Sequence, residues 1–222
     1  MKAFATFLIT LTLALVGSAA SATTMLGENL LGNPGFEFDI VYEPPFDDNW
    51  LGFSGPGEPG VDTGVFNSIN NPRTGDLSLE LGIYDFSGTF AGAFQEVTGL
   101  SPGLPTMFSG WIAGLTEGGS VEPGLEIRIE WIDSASGQEI GRTDDLTPTL
   151  TDTYEMFSLP GIVPAGADTA RLVFVIQSVL GPANLNVAFL DDASFTVVPV
   201  PAALILMLSA LAPLSLFRKR VA

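Results

Sequence analysis

Leu125-Glu126-Ile127-Arg128-Ile129-Glu130-Trp131 alternates apolar and charged side chains without a break. Successive side chains of an extended chain point to opposite faces, so this run reads as a strand with one apolar and one solvated face. Asp133 to Gln138 then reads as a turn, with Gly137 placed for positive φ. Other short apolar or alternating runs are separated by Gly and Pro signals, the pattern of an all-β sandwich. They are Leu77-Leu79-Leu81 against Ser78 and Glu80, Phe90 to Val97, Thr106 to Leu115, Tyr154 to Leu159, Ala170 to Gln177 and Val187 to Val197. Between Ala170 and Gln177 both alternating sets are apolar, which predicts a central strand. Asp39 to Gly64, with Pro44-Pro45, Asp47-Asp48 and Gly55-Pro56-Gly57, reads as one long irregular region, a length usually functional or mobile.

Both ends of the chain read as delivery segments. Lys2, an apolar run from Phe4 to Val16 and the small residues Ala20-Ser21-Ala22 fit a cleavable signal peptide over residues 1–22. At the other end, Val197 to Phe217 is a stretch of 21 uncharged residues followed by Arg218-Lys219-Arg220. As a helix that stretch is about 30 Å long, one hydrocarbon thickness, and the basic stub holds its end in the cytoplasm. The reading is a transmembrane helix over residues 202–217, a tail over 198–222, and a domain over 23–197 long enough to bury its own core.

Composition excludes more than it proposes. All 25 Asp and Glu lie from Glu28 to Asp192, where Arg73, Arg128, Arg142 and Arg171 are the basic residues, leaving the domain at −21. Such a field repels phosphate backbones and attracts divalent cations, so no nucleic-acid partner is expected. With no Cys and no His, there are no disulfides, no Ser-His-Asp triad, no thiol nucleophile and no His-bearing metal site. Glu126 and Glu130 lie roughly 13 Å apart on a regular strand, too far for a glycosidase carboxyl pair, which needs about 5 to 9.5 Å. A noncatalytic protein is expected.

The tail, with Val198-Pro199-Val200-Pro201, one apolar span and Arg218-Lys219-Arg220, resembles the PEP-CTERM class of bacterial sorting signals. Val-Pro-Val-Pro stands where the usual core is Pro-Glu-Pro. The resemblance implies an exosortase-type membrane protease as partner, an inner-membrane intermediate, and delivery to the cell surface or extracellular matrix.

A second resemblance rests on motifs in order along the domain. They are Asn29-Leu30-Leu31-Gly32-Asn33-Pro34-Gly35-Phe36-Glu37, Arg73-Thr74-Gly75-Asp76-Leu77-Ser78-Leu79, Phe94-Gln95-Glu96-Val97, Gly99-Leu100-Ser101-Pro102-Gly103 and Val187 to Phe195 with Asp191-Asp192. In this order they resemble carbohydrate-binding modules of the galactose-binding-like jelly-roll kind. The resemblance implies a jelly-roll β-sandwich and a structural calcium held by Glu37 and Asp192, with the backbone oxygen of Asp76. Because domain termini usually lie close, Glu37 is expected near Asp191 and Asp192, where converging carboxylates call for a cation.

Sugar sites combine aromatic platforms with a few polar side chains. The candidate contacts are Trp50, Trp111, Arg128 and Gln95, with Trp131 expected in the core. The combined reading is an exported protein that binds saccharide or exopolysaccharide without catalysis. The alternative is a structural or adhesive matrix protein that binds no sugar, and a third class is a glycoside hydrolase or lyase.

Overall fold

The computed structural model describes residues 27–42, 49–56, 63–84, 88–116, 124–177 and 186–198. The signal segment 1–22, Pro199 to Pro201, the span 202–217 and Arg218, Lys219 and Arg220 lie outside the described residues.

Among the described residues ten strands form two antiparallel five-stranded sheets. They are β1 (Leu51–Ser54), β2 (Thr63–Ser68), β3 (Ser78–Ile83), β4 (Phe90–Val97), β5 (Pro105–Thr116), β6 (Gly124–Asp133), β7 (Gln138–Arg142), β8 (Glu155–Ile162), β9 (Thr169–Gln177) and β10 (Asn186–Val197). One sheet has the order β1-β4-β9-β6-β7, the other β2-β3-β10-β5-β8. Every connection except β2–β3 and β6–β7 crosses from one sheet to the other, which is the winding of a jelly roll.

The alternation in β6 does what its sequence requires. Leu125, Ile127 and Ile129 are fully buried and Trp131 nearly so, while Glu126 and Arg128 stay on the outer face. β9 is the middle strand of its sheet, with Leu172, Phe174 and Ile176 in the core and Val173 and Val175 also buried. Gly137 has φ 70° at the β6–β7 turn.

Two expectations change. Asp39 to Gly64 is not irregular throughout, since it holds β1 and the start of β2. β1 is four residues long, with Gly52 where a side chain would collide with Tyr42, Ile40 and Val65. It forms by pairing with β4, Leu51 opposite Phe94 and Phe53 opposite Gly92, a partner forty residues away that no local pattern reveals. Likewise, Ser78 and Glu80 do not face water; they are 0 % and 5 % exposed. The segment before β3 folds over them, with Asn70 Nδ2 donating to Glu80 Oε2 at 3.1 Å and Tyr154 Oη donating to Asn71 O at 2.6 Å.

As a result the two sheets differ on their outer faces. The second is roofed, and Ala113, Val187 and Phe189 form a small second core there with Tyr84 and Tyr154. Among the described residues no segment covers the first across β4, β9 and β6, where Phe53, Phe94, Arg128 and Arg171 stay partly exposed. Its outward side chains are the surface available to a ligand.

Candidate functional site

On that open face a groove of about 220 Å³ is lined by Phe53, Phe94, Arg128, Glu130, Arg171 and Val173. Four strands supply them, β1, β4, β9 and β6, so the groove runs across the sheet. Phe53 and Phe94 meet with ring centroids 6.1 Å apart and 45° between planes. Glu130, with 8 % of its side chain exposed, is the charge at the centre. It accepts from Arg128 Nε at 2.8 Å and from Arg171 Nη1 at 3.4 Å. Arg128 Nη1 also reaches Glu126 Oε2 at 3.3 Å, so one guanidinium ties together the two carboxylates of β6. Arg171 gives Nε and Nη2 to Glu96 Oε1 at 2.9 and 2.7 Å and lies 4.8 Å from the Phe94 ring centroid. The groove therefore offers apolar ring surface beside guanidinium and carboxylate groups. That composition suits a polar ligand with apolar faces.

Of the four expected ligand contacts, Arg128 lies in this groove. Trp50 does not reach any surface: it is 0 % exposed, stacked between Phe36 (5.1 Å) and Phe174 (5.4 Å). Its indole N–H donates to Asn33 O at 3.2 Å, which fastens the first motif to the core. Gln95 points the opposite way from Phe94, and its amide accepts from Gly32 N at 2.8 Å and donates to Gly32 O at 3.0 Å. It holds the first motif to β4 and leaves the groove to its neighbours. Trp111 sits on the outer face of the second sheet, where the Arg73 guanidinium lies 3.8 Å from the ring centroid and takes the place a sugar would need. Trp131 is in the core as expected, at 4 % exposure. Phe53, Phe94 and Arg171 were not singled out in the sequence. Phe94 and Arg171 stand in alternating runs already read as strands, and their outward parity was the one available signal.

The two bookend motifs do meet. Gly27 N donates to Val197 O, Leu30 N to Phe195 O, and Ala193 N to Pro34 O. A Cβ added at Gly35 would touch both Glu37 and Asp191, at 3.8 and 3.9 Å. Asp191, not Asp192, is the carboxylate buried here, at 1 % exposure. The register between β10 and β5 shifts between Asp191 and Ser194, and Asp192 has φ 48°. This bulge turns Asp192 outward to pair with Arg73 Nη1 and to accept from Thr74 Oγ1. Asp191 Oδ2 accepts from the backbone N–H groups of Arg73 (2.8 Å) and Thr74 (3.1 Å), and Oδ1 from that of Asp192. Glu37 accepts from the N–H groups of Asp76 and Leu77, and any side chain at Gly75, φ 63°, would collide with it. Burial pushes the Asp191 carboxyl above its ordinary range, although the N–H groups of Thr74, Arg73 and Asp192 pull the other way.

The Asp that lies beside Glu37 is therefore Asp191 and not Asp192, which turns to Arg73. Glu37 Cγ and Asp191 Oδ1 lie on either side of Gly35, and each carboxylate has lone pairs beyond those taken by N–H donors. Among the described residues no three acidic side chains converge, so a calcium ion there would rely on backbone carbonyls for the rest of its shell.

No family model matches the sequence, and no curated protein does. Solved structures do. A xylan-binding CBM22-1 domain of Paenibacillus barcinonensis Xyn10C superposes with a TM-score of 0.54, at 15% identity over 79% of this chain and 98% of that one. The fold is a jelly-roll β-sandwich like that domain's. The enzymatically active domain of bacteriophage CBA120 tailspike protein 4 gives a TM-score of 0.58, at 17% identity over 77% of this chain. This chain spans 21% of that tailspike structure. The CBM22-1–GH10 modules of Clostridium thermocellum Xyn10B, complexed with xylohexaose, give 0.50 at 17% identity, over 77% of this chain and 28% of that one. At such identities these likenesses speak to the fold.

Proposed function

We propose that this chain is an exported, surface-sorted, noncatalytic protein whose jelly roll binds saccharide in the groove of Phe53, Phe94, Arg128, Glu130, Arg171 and Val173. The observation that carries the reading is the open outer face of the first sheet, where aromatic rings lie beside charged hydrogen-bonding groups. The fold's likeness to a xylan-binding domain supports it. Screening the protein on a glycan array, then titrating the best oligosaccharide, tests it. Phe53→Ala removes one ring while leaving the core intact, and is expected to weaken binding about ten-fold, the equivalent of 1.4 kcal/mol. Binding unchanged in this variant places the sugar elsewhere.

The structural or adhesive reading has its own support, since the groove's guanidinium groups already bond to carboxylates. On that reading no glycan binds.

Export and sorting complete the proposal. Residues 1–22 are removed as a signal peptide, residues 23–197 form the working domain, and residues 198–222 act as a sorting tail of the PEP-CTERM kind, cut by an exosortase-type protease. β10 ends at Val197 and the Val198 N–H donates to Pro105 O, so the Val-Pro-Val-Pro motif follows directly on the last strand. Intact-mass measurement on surface protein is expected to show loss of residues beyond about Pro201. Retention of Arg218 to Arg220 there makes the tail a lasting anchor.

A structural calcium belongs to the same proposal, held by Glu37 and Asp191 with the carbonyl oxygen of Asp76. When bound, the ion would neutralise a buried carboxylate and tie the two ends of the domain together.

A further inference from the structure

The groove's cations narrow the class of saccharide. Arg128, Arg142 and Arg171 converge on Glu130, whose Oε1 lies 2.8 Å from Arg128 Nε and 3.9 Å from Arg142 Nη2 and whose Oε2 lies 3.4 Å from Arg171 Nη1. Arg128 and Arg171 line the groove, whereas Arg142 reaches Glu130 from the neighbouring surface of Trp131, Thr143 and Asp144 and bonds Glu139 through Nε and Nη2 at 2.7 Å. In a domain this acidic, two of the four arginines between Thr23 and Thr196 line the proposed ligand groove.

The bonds these arginines make decide what can compete for them. All three nitrogens of the Arg171 guanidinium already bond to carboxylate, Nε and Nη2 to Glu96 and Nη1 to Glu130. A neutral sugar hydroxyl is a weak acceptor and cannot replace a charge-assisted bond about twice as strong. A ligand carboxylate can. The two competitors on Arg171 are also unequal, because the Glu96 side chain is 37% exposed and that of Glu130 8%. Glu96 can turn into water with its charge hydrated, whereas Glu130 would leave a buried site. The planar guanidinium accepts a carboxylate edge-on with two parallel bonds. Arg171 also lies over the Phe94 ring, so what the groove presents beside Phe53 is as much cation as aromatic surface. Repulsion from the rest of the domain is screened over about 8 Å at physiological salt, and at the groove Arg128 and Arg171 face Glu96, Glu126 and Glu130, so a ligand carboxylate enters by displacing one of these carboxylates and not by adding to them.

Resting on the saccharide reading of this same groove, we propose that the ligand is an acidic glycan, a chain bearing uronate carboxylates, one of which takes the place of Glu96 on Arg171. The exchange breaks one carboxylate–guanidinium pair and makes another, the Glu96 charge passing into water, and the sugar ring adds a contact with Phe53.

The test is isothermal titration of the full chain in detergent, with oligogalacturonates and with uncharged xylo-oligosaccharides of equal length. EDTA is present so that uronate-bound calcium plays no part. The acidic series is expected to bind about ten-fold tighter or better, a difference of 1.4 kcal/mol. Arg171→Gln is expected to abolish that preference. Glu96→Gln removes the internal competitor and is expected to tighten uronate binding about five-fold, an effect that a merely structural Glu96 would not produce. Uncharged oligosaccharides binding as tightly as acidic ones, or Glu96→Gln leaving uronate affinity unchanged, overturns the acidic assignment and leaves the saccharide reading standing. If neither series binds, the saccharide reading itself falls.

Discussion

Trp50→Ala is expected to cost the domain about 3–5 kcal/mol, the range for truncating a large buried aromatic, and to lower the melting temperature by roughly 10 °C or more. The indole is fully buried, packed between Phe36 and Phe174, and Phe174 in turn meets Phe108 at 5.1 Å and Phe157 at 5.7 Å. Removing it opens a cavity at the centre of this aromatic chain and cuts the indole bond to Asn33 O, so the first motif loses its hold on the core. Because Trp50 lies beneath the sheet and away from the groove, any loss of glycan binding should follow the unfolding curve. Measured well below the melting temperature, affinity is expected to stay at its wild-type value. A Trp50→Ala protein that melts like wild type but has lost sugar binding would put this residue back at a ligand site.

Asp191→Ala is expected to cost about 3 kcal/mol, because the N–H groups of Arg73, Thr74 and Asp192 then lose a charged acceptor in a buried corner. Asp191→Asn keeps an acceptor oxygen and removes the charge, which separates hydrogen bonding from electrostatics. Burial raises the folded pKa of Asp191, so the folded state binds this proton more readily than the unfolded chain does. The stability associated with that proton is then fully present below the unfolded pKa and is lost as pH rises through the raised folded value. Relative to Asp191→Asn, the wild-type protein should therefore gain stability as pH falls across that window, in denaturant unfolding with EDTA present. Calcium would act in the opposite sense at neutral pH by favouring the charged form. Adding it is expected to raise the melting temperature of the wild type and not of Asp191→Asn, and chelation should reverse the gain. No response to chelation in the wild type would remove the ion from this corner.

The corner shows where reading the sequence works and where it stops. Glu37 and the Asp pair are expected together; the bookend segments do hydrogen-bond to each other and bring Glu37 and Asp191 to either side of Gly35, while Asp192 turns away to Arg73. Which Asp is buried is not legible. A strand without irregularity puts neighbours on opposite faces, and the bulge between Asp191 and Ser194 alters that parity. The inward positions run through Ala188 and Leu190, then Ala193, Phe195 and Val197. One inserted residue decides which carboxylate is buried and which meets Arg73.

The aromatic residues make the same point. Trp131 could be assigned to the core because it continues the Leu125-Ile127-Ile129 face, and the structure buries it there. Trp50 and Trp111 stand in segments without alternation, so nothing local told inside from outside. Trp50 is buried by residues far along the chain, and Trp111 is covered by Arg73 from a segment that folds across the second sheet. The groove is less legible still, since Phe53 lies on a short strand that exists only through pairing with β4.

Period-two alternation, the spacing of turn residues and the composition by themselves determined an all-β architecture, the run of most strands and a strongly acidic domain lacking His and Cys chemistry. These are local properties, set by how side chains alternate on an extended chain and by charges that can be counted. The tertiary structure alone decided which outer face is roofed and which is open, which Asp is buried, and that three arginines from β6, β7 and β9 meet around one glutamate. Those outcomes depend on sheet order and register, and so on contacts between residues distant in sequence, about which a local pattern carries no information.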